Sequence, residues 1–300
     1  MNGKSRALLW LGLLLGGAVA FAALEADPFA TGPYAPTHFG IADDEVPEDP
    51  RDFGRGHFSD FPTWPVSQEL PNDVFTFARV RYRSYGGQGG WRRSAKWMTD
   101  YPDADLNFSY RLQQLTSLEV NPKGVVVDIE AEQLQHYPFV YLIEPGNIEL
   151  SAEEAKILRE YLLNGGFMMV DDFWGDEEWQ TFAVALEQIF PDREPKELPL
   201  EHEIFHMVFP LKVKPQIPSV GHAMAGRALG ITHEGKPGSE TPHYRAIFDD
   251  QERVVMLICH NTDLGDGWEE EGTDPWYFRE FSEKYAYPLG INIIFYALTH

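Results

Sequence analysis

One cysteine, Cys259, stands among 300 residues. No intramolecular disulfide is open to the chain, so its fold must rest on an apolar core. Basic residues are also scarce, with 24 Lys and Arg against 47 Asp and Glu and a formal net charge of −23. A nucleic-acid partner needs a concentrated basic face, and this deficit argues against one. Long apolar runs are missing except at residues 7–24, so any membrane contact is confined to the N-terminus.

What is present is ample core material, 43% hydrophobic residues, which excludes disorder of the whole chain. Lys4 and Arg6 precede the apolar run, and Ala18-Val19-Ala20 and Ala20-Phe21-Ala22 offer small-residue cleavage sites. Residues 1–24 therefore read as a secretory signal peptide, or as a membrane anchor if uncleaved, and the protein as periplasmic or secreted. Residues 25–71 form a Pro-rich, acidic tether in which Phe53, Phe58, Phe61 and Trp64 point to partial packing on the domain. The folded domain is expected over residues 72–300.

Within it, apolar runs at 74–82, 124–129, 139–143 and 167–170 read as strands and alternate with helical patterns at 104–115, 152–163 and 177–189. Two more strands, 244–249 and 253–259, are joined by a hairpin at 250–252, and an apolar helix at 288–298 ends the chain. Ser151 with Glu154 forms a capping box, and Asn164-Gly165-Gly166 a left-handed stop. The alternation implies an α/β three-layer sandwich: a mostly parallel sheet with helices on both faces.

Ligands of such sheets bind beyond the strand carboxyl ends, so the residues that follow each run matter most. They include Tyr85 and Trp91 around a Gly86-Gly87-Gln88-Gly89-Gly90 loop, then Glu144, then Asp171, Asp172 and Trp174, and finally His260, Asn261 and Asp263. Asp171, Asp172 and His260 are the candidates for acid–base work. Tyr85, Trp91 and Trp174 are candidate stacking walls, with Glu144, His206, Asn261 and Asp263 as further ligand contacts. The alternatives for the carboxylates are to hold a divalent cation, to cap helices, or to be neutralised by Arg79, Arg81 and Arg83. Asp100, Asp103 and Asp105 precede a helix and read as caps.

Three motifs are weaker than they look. His202-Glu203-Ile204-Phe205-His206 matches a zinc-protease pattern, but Pro199 and Pro210 leave little room for the helix that pattern needs. Cys259 and His260 are strand neighbours that point to opposite faces, so Cys259 reads as a buried hydrophobe. The glycine loop lacks the helix start and Lys or Ser/Thr of a nucleotide fingerprint and reads as a mobile loop over the pocket.

Phe77–Tyr82, Thr99–Asp103, Glu144-Pro145-Gly146, Val170–Gly175, His243-Tyr244 and Ile258–Gly267 together resemble the bacterial family called domain of unknown function 4159. The resemblance covers almost everything from Val74 onward. It implies the class I glutamine-amidotransferase-like superfamily, near trehalose-utilisation-like domains, and a flavodoxin-like sandwich, but no activity. The amidotransferase elbow carries a cysteine, whereas Val170-Asp171-Asp172-Phe173-Trp174 stands here, which disfavours thiolate chemistry. Two functions remain: binding, with hydrolysis as one outcome, of a small polar or carbohydrate-like ligand, or a non-catalytic envelope module that docks a protein partner.

Overall fold

The computed structural model describes residues 46–53, 61–67, 69, 73–85 and 96–300. The signal-like segment, most of the tether, the glycine loop and Trp91 lie outside the described residues. In chain order the elements are β1 (Ala78–Arg81), β2 (Arg83–Ser84), α1 (Asp103–Leu115), β3 (Val125–Asp128), α2 (Ala131–Leu134), β4 (Phe139–Ile143), β5 (Ile148–Glu149), α3 (Ala152–Leu163), β6 (Phe167–Asp171) and α4 (Gly175–Ile189). They continue with β7 (Lys196–Glu197), α5 (Val220–Gly226), β8 (His243–Phe248), β9 (Val254–His260), α6 (Leu264–Glu269), α7 (Pro275–Tyr277), a π-helical stretch (Phe278–Ala286) and α8 (Tyr287–Thr299).

The main sheet has the order β3-β1-β4-β6-β9-β8-β7. β3, β1, β4, β6 and β9 run parallel, and β8 and β7 add antiparallel at one edge. Taken by chain position, the parallel strands read 2-1-3-4-5, the flavodoxin-like winding, in which β1 and β4 flank the point where the order reverses. The α/β sandwich is thus as the alternation implied.

Side chains alternate between the two layers because successive strand residues face opposite ways. Tyr141, Phe167, Met169 and Cys259 pack with α1, α6 and α8 on one face. Val140, Leu142, Met168, Val170 and Ile258 pack with α3 and α4 on the other. All of β6 is buried, as a central parallel strand covered on both sides requires. The capping box at Ser151 is present, with Glu154 N–H donating to Ser151 Oγ at 3.2 Å and Ser151 N–H to Glu154 Oε2 at 2.7 Å. Phe53 is buried with its ring 4.9 Å from Tyr101, and Trp64 donates Nε1–H to the Val120 carbonyl at 2.7 Å. Both aromatics therefore lie on the domain.

Some boundaries differ from expectation. The run at 74–82 is interrupted, with Phe75 bridging to Val120 before β1 starts. α4 begins two residues earlier than its apolar period, at Gly175, whose φ of 77° suits glycine. Among the described residues no helix is long and apolar enough to cross a membrane.

Candidate functional site

Three neighbouring strands end in the same backbone device. Glu144 after β4 (φ 47°), Asp172 after β6 (φ 54°) and Asn261 after β9 (φ 61°) are all left-handed without being glycine. Asp100, in the turn that leads to α1, is a fourth, at φ 61°. Each costs on the order of 1 kcal/mol, so the surrounding contacts must hold them. At Glu144 those contacts are visible: its N–H donates to the Asp171 carbonyl at 3.0 Å, and the Tyr82 hydroxyl lies 2.7 Å from its carbonyl oxygen.

Asp171 closes β6 and is fully buried. Its Oδ2 accepts from the Tyr141 hydroxyl at 3.0 Å and from the Leu264 and Gly265 N–H groups at 2.8 and 3.1 Å. These bonds tie β6 to the start of α6, while Oδ1 is buried with no hydrogen-bond partner. Burial outweighs the three donors and pushes the Asp171 carboxyl up to about 7.

Asp172 turns out of the strand and accepts from Trp174 Nε1–H at 3.0 Å. One carboxylate oxygen from each of Asp100, Asp172 and Asp263 lies within 4.8 Å of the others, and Asp100, Asp266 and Glu269 form a second such group. Asp263 caps α6 by accepting from Asp266 N–H at 2.7 Å, and Asp266 accepts from Val220 N–H at 2.9 Å. Asp100 makes no such bond, and its buried Oδ2 has no partner. Burial first, and neighbouring carboxylates second, hold Asp100, Asp172, Asp263 and Asp266 well above the usual carboxylate range. Two ionised carboxylates at such separation repel by about 3 kcal/mol at an effective dielectric of about 20.

The ion pairs of Arg79, Arg81 and Arg83 go elsewhere. Arg79 pairs with Asp105, Arg81 with Asp128 and Arg83 with Glu154, while Lys96 pairs with Glu144. No Lys or Arg among the described residues forms an ion pair with Asp100, Asp171, Asp172, Asp263 or Asp266.

His260 does not join the aspartates. Asp171 faces the layer of α1, α6 and α8, whereas the His260 ring packs on Phe173 and Trp179, at 4.7 and 5.2 Å, in the opposite layer. Its Nε2–H donates to the Gly175 carbonyl at 3.0 Å and its Nδ1 accepts from Arg245 at 3.2 Å, the pattern of a neutral ring. Burial, followed by Arg245, pushes its pKa down to about 4. Asp171 and His260 therefore lie on opposite faces of the sheet.

A family model described as a domain of unknown function (DUF4159) matches residues 76–298. The chain belongs to this family. No curated protein matches it.

In this DUF4159 domain the remaining sequence candidates are dispersed. Trp174 is 2% exposed and offers no stacking wall. Asn261 is a brace, accepting from Gly175 N–H at 2.7 Å and donating to the Gly238 and Thr241 carbonyls at 2.8 Å. Glu144 accepts from Lys96 and from Thr99 Oγ1 at 3.0 Å. Tyr85 is exposed and lines, with Arg83, Glu149, Glu177, Gln180 and Thr181, a groove of about 620 Å³. His206 is exposed and sits 2.8 Å from the Leu200 carbonyl, and His202 caps a single 3-10 turn (Glu203–Phe205). Two histidines on one zinc-binding helix are thus excluded. Cys259 is buried, and burial pushes its thiol well above the ordinary value.

Asp100, Asp266 and Glu269 were not among the sequence candidates. The capping role expected for the Asp100 side chain fails because its backbone carbonyl, not its carboxylate, accepts from Ala104 N–H at 2.9 Å. Asp105, also read as a cap, is the buried partner of Arg79. The one local signal for Asp266 was its spacing three residues after Asp263, which suits a helix start.

Proposed function

We propose that this DUF4159 domain binds a small polar, hydroxyl-rich ligand at the carboxyl edge of its sheet, with Asp172 as the proton-exchanging group. The observation that carries this reading is the Asp100 carboxylate, a buried acceptor without a donor beside Asp172 and Asp263. A buried acceptor left unsatisfied is costly, and a ligand hydroxyl relieves that cost. Asp172 supports acid–base work because burial first, and the neighbouring Glu144, Glu234 and Asp171 carboxylates next, hold its carboxyl well above the ordinary value. It also stands at the strand-to-helix turn where amidotransferase-like enzymes place a cysteine, which supports a related crevice with different chemistry. The apolar segment 7–24 supports an exported protein.

The test is thermal unfolding of the full chain against a panel of neutral sugars and polyols, in the presence of a chelator. A ligand at a hundredfold its Kd stabilises the native state by about 2.7 kcal/mol, which raises Tm measurably. The expected result is a rise with a subset of the panel that disappears in Asp172→Asn. No rise with any compound overturns the reading.

A second reading, a docking module for an envelope protein, is favoured by the apolar turn after α5. Leu229 is 78% exposed there, beside Met224 and Ile231. Leu229→Glu abolishes such docking and leaves the ligand-induced Tm rise unchanged.

A further inference from the structure

We infer that Asp100, Asp172 and Asp263 form a binding site for one hard divalent cation, of the Ca²⁺ or Mn²⁺ class. The inference rests on the reading above, that the carboxyl edge is the binding site, and adds a cation to that edge.

Donor chemistry selects the ion. All three side chains offer carboxylate oxygen and none offers nitrogen or sulfur, a set that suits Ca²⁺, Mn²⁺ or Mg²⁺ rather than Zn²⁺. Spacing agrees: with metal–oxygen distances of about 2.3–2.6 Å, oxygens around one Ca²⁺ lie at most about 5 Å apart. The three oxygens meet that limit, lying within 4.8 Å of one another.

A bare acidic cluster would not justify a site. Here Asp100 is 9% exposed, its Oδ2 is buried without a hydrogen-bond partner, and its carboxylate converges with those of Asp172 and Asp263. Asp172 and Asp263 each use one oxygen in a hydrogen bond, to Trp174 Nε1–H and Asp266 N–H, which orients the carboxylates and leaves a second oxygen on each. Asp171 is a positioning residue: its bonds to Leu264 and Gly265 N–H fix the peptides directly after Asp263. Gly265 completes the cradle, since a Cβ there would run into Asp100 Oδ2 and lie 2.9 Å from the Tyr141 hydroxyl. The buried Arg79 makes its ion pair with Asp105 rather than with the cluster.

The experiment uses the full chain stripped with chelator, then titrated with CaCl₂, MgCl₂, MnCl₂ or ZnCl₂. Tm is followed for all four, and Mn²⁺ is counted by electron paramagnetic resonance. One Mn²⁺ per chain, a Ca²⁺-dependent rise in Tm, and affinity lowered on the order of a hundredfold in Asp100→Asn support the site. Asp100→Asn also tests folding independently, because relieving a crowded buried carboxylate whose Oδ2 has no donor should raise the Tm of the stripped protein. The inference is overturned if no ion changes the wild-type Tm, or if Asp100→Asn binds Mn²⁺ as tightly as the wild type. Polyol binding that persists in chelator while ions have no effect removes the cation and leaves the ligand reading standing. Ion binding without any polyol effect does the reverse.

Discussion

Arg79 gives its guanidinium to Asp105 rather than to the acidic cluster beside it. Its Nε lies 3.1 and 3.0 Å from the two Asp105 oxygens, and its Nη1 donates to the Trp97 and Thr99 carbonyls at 3.1 and 2.8 Å. Thr99 immediately precedes Asp100, so the pair anchors the turn that carries Asp100 without neutralising it. The carboxylates at the sheet edge keep their charge problem because the adjacent arginine has a bidentate partner on α1.

Breaking that pair should be costly. Asp105→Asn leaves a fully buried guanidinium without its counter-charge, a change worth about 3–5 kcal/mol in comparable buried pairs. Urea unfolding should show a loss of that order. A loss near that of a surface substitution would mean that another carboxylate takes over the guanidinium.

His260 makes stability depend on pH in a defined window. Its pKa is pushed from 6.5 down to about 4 in the folded state, so between these values the unfolded chain holds a proton that the folded chain lacks. Its contribution is complete above about pH 6.5 and is lost as pH falls toward 4, by up to about 3 kcal/mol. Unfolding free energies of wild type minus His260→Gln, measured across that range, should shrink as pH falls. A difference independent of pH would show that the folded ring takes up its proton at the same pH as in the unfolded chain.

Gly265 should tolerate no side chain. Gly265→Ala sets a methyl group against Asp100 and the Tyr141 hydroxyl, and overpacking of this kind costs about 1–3 kcal/mol. Thermal unfolding should report the loss, and Mn²⁺ affinity should fall with it. An alanine variant of wild-type stability would show that the approach of α6 to Asp100 is looser than the structure has it.

Cys259 should behave as a buried hydrophobe. Its side chain is wholly covered and its thiol is held protonated by burial. Aromatic disulfide reagents should label it only on the timescale of unfolding. Stoichiometric labelling within the mixing time would restore it as a candidate nucleophile.

Much of the architecture is local in origin and could be read from the chain. The apolar run 139–143 became β4 with the same bounds, and Ser151, Glu154 and Gly165 delimited α3, because burial on both faces and capping chemistry leave their mark within a few residues. The placement of Glu144, Asp171, Asp172 and Asn261 at strand ends followed from the same runs. The makeup of the site was decided by contacts far apart in sequence. Alternation along β6 and β9 sent Asp171 and His260 into opposite layers, and the choice of layer depends on which helices cover each face. Asp100 reaches Asp172 and Asp263 only because the turn before α1 folds over the sheet edge, held there by Arg79. A carboxylate's spacing along the chain carries no record of such convergence, since the same Asp before a helix serves equally as a cap or, as here, as a buried acceptor without a donor.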